Sequence, residues 1–266
     1  MAENRILTGR AALVTGAAGG LGLAMARKLA SLGADVLMTG TEPALEVEAA
    51  RGELANAEKV EAEYRVADLS SLAELEALVR HAQIRFGGVD VLVNNAVVRH
   101  FAPIQEFTAD QWDKALAVNL SAPFHLTRLL LPGMRQGGYG RIFNLTSVYG
   151  SHATVNRVDY VTTKTAIQGL TRATAMENTD GVITCHALCP GSVLTPSLEA
   201  RVRALGKAQN LDFEQAKAVF LEGKNPSGRF VEAEHVAEVM ALLCGPVGID
   251  MNGAILPIEG GWLARA

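Results

Sequence analysis

The feature that most constrains the fold of this chain is an alternation of short apolar runs with longer segments of helical periodicity. The apolar runs predict strands near Ala11–Thr15, Ala34–Thr39, Ala62–Val66, Val89–Val93, Arg141–Thr146, Val182–Leu188 and Ala254–Ile258. The helical patterns lie near Gly20–Leu32, Pro43–Ala55, Leu72–Phe86, Ala109–Leu131, Asn156–Glu177 and Glu232–Cys244. Because crossovers between parallel strands are right-handed, this order predicts an α/β, doubly wound parallel sheet of about seven strands.

One segment departs from the alternation. Between Thr195 and Gly228, two helical patterns follow each other with no strand between them, at Leu198–Leu205 and Phe213–Leu221. We name residues 196–226 the helical insert and expect it to form a lid over a ligand crevice at the carboxyl edge of the sheet. The alternative is a surface embellishment. With no repeat or linker visible, residues 1–266 are expected to form a single domain.

Composition narrows the range of partners. The formal net charge of −4 argues against nucleic acid or an anionic membrane as the main partner. Three cysteines, Cys185, Cys189 and Cys244, lack metal-ligand spacing, and their odd number disfavours a disulfide framework. The N-terminal segment lacks an apolar core of signal-peptide length, so we expect a cytoplasmic protein. Because the cysteines lack metal-ligand spacing, we expect no metal site.

A glycine-rich loop follows the first predicted strand and leads into a helix. It reads Thr15-Gly16-Ala17-Ala18-Gly19-Gly20-Leu21-Gly22. Glycines let backbone N–H groups approach a pyrophosphate, and the helix N-terminus adds partial positive charge. A glycine cluster can also be a simple turn, but its position between strand and helix predicts a dinucleotide site.

A second motif carries acid–base chemistry. Tyr160 and Lys164 are four residues apart in a helical pattern, so their side chains share one face. Tyrosine, with a pKa of about 10, is a poor base at neutral pH, but a nearby ammonium favours the phenolate. The pair could then accept an alcohol proton, while Ser147, beyond the end of the fifth strand, could hold the reacting oxygen.

These motifs, in this order, resemble the short-chain dehydrogenase/reductase family over nearly the whole chain. The resemblance implies a Rossmann-like fold, NAD(P)-dependent oxidation of an alcohol, and a homotetramer. It implies catalytic roles for Asn119, Ser147, Tyr160 and Lys164. It implies cofactor contacts from Gly16, Gly20, Leu21, Gly22, Thr41, Asp68, Leu69, Asn95, Ala96, Tyr160, Lys164, Pro190, Gly191, Val193 and Thr195. Val97 stands where the family usually has glycine.

The end of the second strand bears on the choice between NAD and NADP. A 2′-phosphate is usually accommodated by a nearby arginine, and a free ribose 2′-hydroxyl by a carboxylate. Here Thr39-Gly40-Thr41-Glu42 follows the strand, and the first basic residue beyond it is Arg51. The missing clamp predicts NAD, with Glu42 either a hydroxyl acceptor or a solvated turn residue.

The segment Asn119-Leu-Ser-Ala-Pro-Phe-His, the helical insert after Thr195 and the ending Gly260-Gly261-Trp262-Leu263-Ala264-Arg265 resemble those of bacterial D-3-hydroxybutyrate dehydrogenases within the family. The substrate pocket differs. Carried over by position, the expected substrate-binding residues are Arg99, Ser147, Tyr149, Arg157, Ser192, Arg201 and Trp262. Three of them are arginines, which pair bidentately with carboxylate, phosphate or sulfonate. The sequence therefore predicts a small anionic hydroxy or keto substrate, unless the arginines pair with acids such as Asp159 or Glu199.

Other functions remain as alternatives. Arg157 and Arg201 also resemble the sulfonate-binding pair of 2-hydroxypropyl-coenzyme M dehydrogenases. A 3-oxoacyl-thioester reductase would call for an NADPH clamp, and a metal-dependent alcohol dehydrogenase would need His/Cys/Asp clusters. A non-catalytic dinucleotide sensor could dispense with Ser147, Tyr160 or Lys164, yet all three are present.

Overall fold

A single parallel sheet forms the centre of the molecule in the computed structural model, which describes residues 5–264. Its strands are β1 Ala11–Thr15, β2 Asp35–Gly40, β3 Ala62–Val66, β4 Val91–Asn94, β5 Gly140–Leu145, β6 Ile183–Pro190 and β7 Ile255–Ile258. They lie in the order β3-β2-β1-β4-β5-β6-β7. The order reverses between β1 and β4, which opens a crevice at their carboxyl ends. The predicted α/β fold class is confirmed.

Helices cover both faces of this sheet. They are α1 Gly20–Ser31, α2 Ala44–Glu58, α3 Leu72–Phe86, α4 Ala109–Leu116, α5 Ala122–Gln136, α6 Val158–Met176, α7 Pro196–Gln209, α8 Phe213–Leu221, α9 Ala233–Cys244 and α10 Val247–Asp250. Alternate strand residues point to opposite faces, so Val14 packs in the cluster with α1 and α9, and Leu13 in the cluster with α3 and α5. Among the described helices, none is long and apolar enough to cross a membrane.

The helix predicted at Ala109–Leu131 continues to Gln136 but is not regular throughout. Residues Ala117–Ser121 form a π turn between α4 and α5. The turn contains Asn119, whose buried side chain accepts from Val98 N at 2.8 Å and donates to Val98 O at 3.0 Å. A π turn adds a residue to the helical circuit and is frequent at functional sites. Here it accompanies a tertiary contact that helical periodicity does not encode.

The helical insert is a pair of helices with its own small core. Val202 of α7 packs with Ala216 and Leu221 of α8 and with Phe230. Helix α7 is longer than the predicted Leu198–Leu205: it begins after Thr195, which accepts a hydrogen bond from Leu198 N and caps its start, and it continues to Gln209. The insert is thus held together partly by its own contacts rather than by the sheet alone.

Candidate active site

The glycine-rich loop is closely packed where β1 ends. Gly16 has φ +62°, and a Cβ there would lie 2.8 Å from the Ala96 Cα. Asn95 at the end of β4 donates to the carbonyl oxygens of Thr15 at 3.0 Å and Gly16 at 2.9 Å. A side chain at Gly22 would collide with the Gly16 carbonyl oxygen. These contacts leave room for backbone only, as close approach of a phosphate requires.

The N-terminus of α1 fits an anion. The helix begins at Gly20 with Gly19 as its cap residue, and in the described part of the chain no side chain caps it. Its first turn contains no acidic residue. The first backbone N–H groups and the positive end of the helix dipole are therefore available to a pyrophosphate. The residues present fit a dinucleotide cofactor.

A cleft of about 620 Å³ runs from this loop to the helical insert. It collects most of the residues predicted to bind cofactor, namely Gly16, Gly20, Leu21, Gly22, Asn95, Ala96, Tyr160, Lys164, Pro190, Gly191, Val193 and Thr195. It also collects every residue predicted to bind substrate: Arg99, Ser147, Tyr149, Arg157, Ser192, Arg201 and Trp262. Val97 lines the same cleft. The two predicted subsites therefore form one continuous space.

Four predicted residues do not line the cleft. The Thr41 N–H donates to Glu42 Oε2 at 3.0 Å, and Leu69 is buried in the core. The carboxylate of Asp68 accepts two bonds of 2.9 Å from Lys114, which hold the pKa of Asp68 at about 2. Asn119 lies behind the site on Val98. The cofactor roles of Thr41, Asp68 and Leu69 and the catalytic role of Asn119 stay predictions, as do the roles of the residues that line the cleft.

The predicted catalytic pair lies where α6 passes the carboxyl end of β5. Tyr160 and Lys164 are buried, and the Lys164 ammonium lies 5.7 Å from the centroid of the Tyr160 ring. Lys164 Nζ donates to the carbonyl oxygen of Leu145, the last residue of β5. Burial lowers the pKa of Lys164, although the nearby Tyr160 opposes this effect. The lysine is therefore anchored beside the phenol, as the four-residue spacing predicts.

The environment of Tyr160 favours its ionised form. Burial alone raises the pKa of a tyrosine, but Arg99, Lys164, a hydrogen bond with Ser147 and Arg157 together bring the pKa of Tyr160 below its ordinary value. Among these, Arg99 has the largest lowering effect. The sequence analysis attributed the shift to the ammonium of Lys164, so Arg99 is an additional contributor.

The substrate end of the cleft is strongly cationic. The guanidinium carbons of Arg99 and Arg157 lie 5.1 Å and 4.6 Å from the Tyr160 ring centroid. The acids that could have neutralised the arginines are engaged elsewhere: Asp159 accepts from His100 Nδ1 at 3.0 Å, and Glu199 pairs with Arg203. Within residues 5–264, no ion pair involves Arg99, Arg157 or Arg201. The arginines are consequently available to an anion.

Sequence reasoning missed three residues at this end. Lys224 and Phe220 of the helical insert line the cleft, and Phe101 packs against Arg157 with the guanidinium carbon 4.3 Å from its ring centroid. Lys224 Nζ lies 3.6 Å from the Phe220 ring centroid. The sequence offered one signal for Lys224, a basic side chain near the end of the helical insert. Phe101 has no signal beyond following Arg99 after β4.

Comparison with known proteins identifies the family. The model of the short chain dehydrogenase family matches residues 10–205. Because the match spans more than half of the chain, this protein belongs to the short-chain dehydrogenase/reductase family. It is an oxidoreductase that interconverts hydroxyl and keto groups with a nicotinamide cofactor.

Relatives extend the likeness over the full chain. A D-beta-hydroxybutyrate dehydrogenase of Cupriavidus necator is 40% identical, covering 98% of this chain and 100% of that protein. Another of Rhizobium meliloti is 35% identical, covering 96% of this chain and 99% of that protein. The structure of an L-sorbose reductase from Gluconobacter frateurii, complexed with NADPH and L-sorbose, is 26% identical with a TM-score of 0.93, covering 99% of this chain and 100% of that chain.

Proposed function

We propose that this protein is an NAD-dependent dehydrogenase of a small anionic secondary alcohol, a 3-hydroxybutyrate-like hydroxy acid, and forms the corresponding ketone. The observation that carries the proposal is the pair of guanidinium groups, on Arg99 and Arg157, that flank Tyr160 without an acidic partner among the described residues. A carboxylate bound there would hold its hydroxyl-bearing carbon beside the phenol. The likeness to D-beta-hydroxybutyrate dehydrogenases over the whole chain agrees with this substrate class.

The proton chemistry follows from the positions of three side chains. The nicotinamide cofactor supplies the acceptor for the hydride that leaves the carbinol carbon. The Tyr160 phenolate accepts the hydroxyl proton at its Oη, and the positive charges of Lys164 and Arg99 stabilise that phenolate beforehand. The hydroxyl of Ser147, buried at the end of β5, donates to the substrate oxygen and keeps it in reach of Tyr160.

The proposed preference for NAD over NADP is supported by the charges that line the cleft after β2. Glu42 is the residue after β2 that lines the cleft, and its Oε2 already accepts from Thr41 N at 3.0 Å. Among the lining residues, the basic ones are Arg99, Arg157, Lys164, Arg201 and Lys224, all near Tyr160 or on the helical insert. A 2′-phosphate would therefore meet Glu42 without a cation. We expect a higher kcat/KM for NAD⁺ than for NADP⁺, and the reverse preference would favour the thioester-reductase alternative.

The experiment compares charged and neutral substrates of similar size. With NAD⁺, the purified protein should oxidise 3-hydroxybutyrate with a higher kcat/KM than the neutral alcohol 2-pentanol. Arg157→Ala should raise KM for 3-hydroxybutyrate about 10-fold or more, because a charged hydrogen bond is worth roughly 1.5–3 kcal/mol. KM for 2-pentanol should change little, although kcat can fall on both substrates because Arg157 also lowers the pKa of Tyr160. Arg203→Ala, in which the lost arginine is paired with Glu199, is the matched control.

Two outcomes separate the alternatives. A 2-hydroxyalkyl sulfonate with a higher kcat/KM than 3-hydroxybutyrate would assign the arginines to a sulfonate. A wild-type preference for 2-pentanol, or equal rises in KM for both substrates in Arg157→Ala, would contradict an anion site.

A further inference from the structure

Cations and aromatic rings alternate along the substrate end of the cleft. The guanidinium carbon of Arg157 lies 4.6 Å from the Tyr160 centroid and 4.3 Å from the Phe101 centroid. The guanidinium carbon of Arg201 lies 5.1 Å from the same Phe101 ring and 5.8 Å from that of Phe220. The series ends at Lys224, stacked on Phe220 at 3.6 Å. Cation–π contacts with these rings hold the cations in place.

These cations form an inner pair and an outer pair. The inner pair, Arg99 and Arg157, is in contact with the Tyr160 ring. The outer pair, Arg201 and Lys224, belongs to the helical insert; Arg201 packs against Phe101, and both outer cations pack against Phe220. A single small anion that occupies the inner pair therefore leaves the outer pair without a counter-charge.

The excess charge is not balanced by the protein itself. The cleft-lining residues include one acid, Glu42, which lies after β2 at the opposite end. Within the described part of the chain, none of these four cations takes part in an ion pair. The buried Arg157 Nε also has no hydrogen-bond partner. Burial lowers the pKa of Arg157 and of Lys224, and the charge of Arg201 lowers both further. A cluster of like charges under mutual repulsion favours a ligand that neutralises all of it.

We propose that the substrate is a dianion, with one anionic group bound by the inner pair next to the hydroxyl-bearing carbon and a second bound by Arg201 and Lys224. This inference rests on the proposed function and adds a second negative charge to the proposed substrate. Carboxylate and phosphate oxygens share the chemistry that would satisfy the outer pair. Because the outer pair is carried by the helical insert, the second anionic group would also link the insert to the body of the enzyme.

The test uses 3-hydroxyglutarate, which is 3-hydroxybutyrate with its methyl group replaced by a carboxymethyl group. Its monomethyl ester has the same chain length and one charge fewer. We expect kcat/KM for 3-hydroxyglutarate, with NAD⁺, to exceed that of the monomethyl ester by about 10-fold or more, as one additional charged hydrogen bond would give. An arm with 3-hydroxy-4-phosphonobutyrate distinguishes a phosphate-like second group from a carboxylate.

Variants locate the second site. Arg201→Gln and Lys224→Met should each reduce the preference for the diacid over its monoester about 10-fold. Arg203→Gln and Lys217→Met are the matched controls, because these side chains pair with Glu199 and Glu214 and do not line the cleft. The controls should retain the full preference.

A binding measurement separates recognition of the two anionic groups from catalysis. Glutarate has no hydroxyl group to oxidise, so titration calorimetry of glutarate and of monomethyl glutarate into the NADH-bound enzyme reports recognition alone. Tighter binding of glutarate, lost in Arg201→Gln, supports the dianion. Activity on 3-hydroxybutyrate with no preference for the diacid in either assay overturns this inference alone. Absence of activity on all the anionic alcohols overturns the proposed function as well.

Discussion

Removing Arg99 should make the catalytic tyrosine harder to ionise. Arg99 has the largest lowering effect on the pKa of Tyr160, with its guanidinium carbon 5.1 Å from the ring centroid. The variant Arg99→Gln keeps a long polar side chain but removes the charge. Without that charge the phenolate loses a stabilising neighbour, so the pKa of Tyr160 rises.

The size of the rise follows from the geometry. Two unit charges about 5 Å apart interact by roughly 3 kcal/mol at an effective dielectric constant of about 20. The Arg99 side chain is exposed to solvent, which screens the interaction to about half of that value. The remaining ~1.4 kcal/mol corresponds to a rise of about one pKa unit.

The pH profile of kcat/KM for alcohol oxidation measures this pKa in the free enzyme. Oxidation needs the phenolate, so activity increases as pH rises through the pKa of Tyr160. Arg99→Gln should move that increase to higher pH by about one unit, whatever its effect on the plateau, which also reports lost substrate binding. Arg203→Gln, whose charge lies outside the cleft, should leave the midpoint unchanged. An unchanged midpoint in Arg99→Gln would refute the electrostatic role of Arg99.

Three further predictions follow from other parts of the structure. Asp159→Asn should destabilise the protein by about 1–3 kcal/mol in urea unfolding and lower kcat/KM, because the buried carboxylate accepts from the backbone and the ring of His100 and orders the loop that carries Arg99. Equal stability would contradict this. Lys114→Met should raise the pKa of Asp68 from about 2 and reduce stability at neutral pH by up to about 1 kcal/mol. A depressed carboxyl pKa stabilises fully above the unfolded value and loses this effect as pH falls through the folded value, so the two unfolding curves should converge as pH falls toward about 2. Hydrogen exchange in residues 196–226 should slow when NAD⁺ and substrate bind together, and equal protection with and without them would count against a lid.

The sequence was sufficient for the sheet and for the glycine-rich loop between β1 and α1. Alternation of buried strands and helices has local periodicity, so the strands were predicted within a few residues of their observed bounds. The π turn at Asn119 was not predictable in the same way. The Asn119 side chain accepts a hydrogen bond from the backbone of Val98, which is 21 positions away, and helical periodicity does not encode such a contact.

The substrate end was predicted only in part. The three arginines lie on segments that a parallel sheet brings to one edge, so topology alone placed them together. Their freedom from Asp159 and Glu199 was not visible, because it depends on His100 and Arg203 as competing partners. The stacking of Phe101 between Arg157 and Arg201 could not be predicted either, since stacking depends on side-chain orientation rather than on sequence spacing.

The most direct test of the central claim is the turnover of Tyr160→Phe with NAD⁺ and 3-hydroxybutyrate. The substitution removes one hydroxyl group from a buried ring, so the fold and the affinity for NADH should be retained. We predict that kcat, followed as NADH formation, falls at least about 100-fold, the scale of a lost general base. Turnover close to that of the wild type, with NADH affinity unchanged, would show that Tyr160 does not take the alcohol proton and would contradict the account.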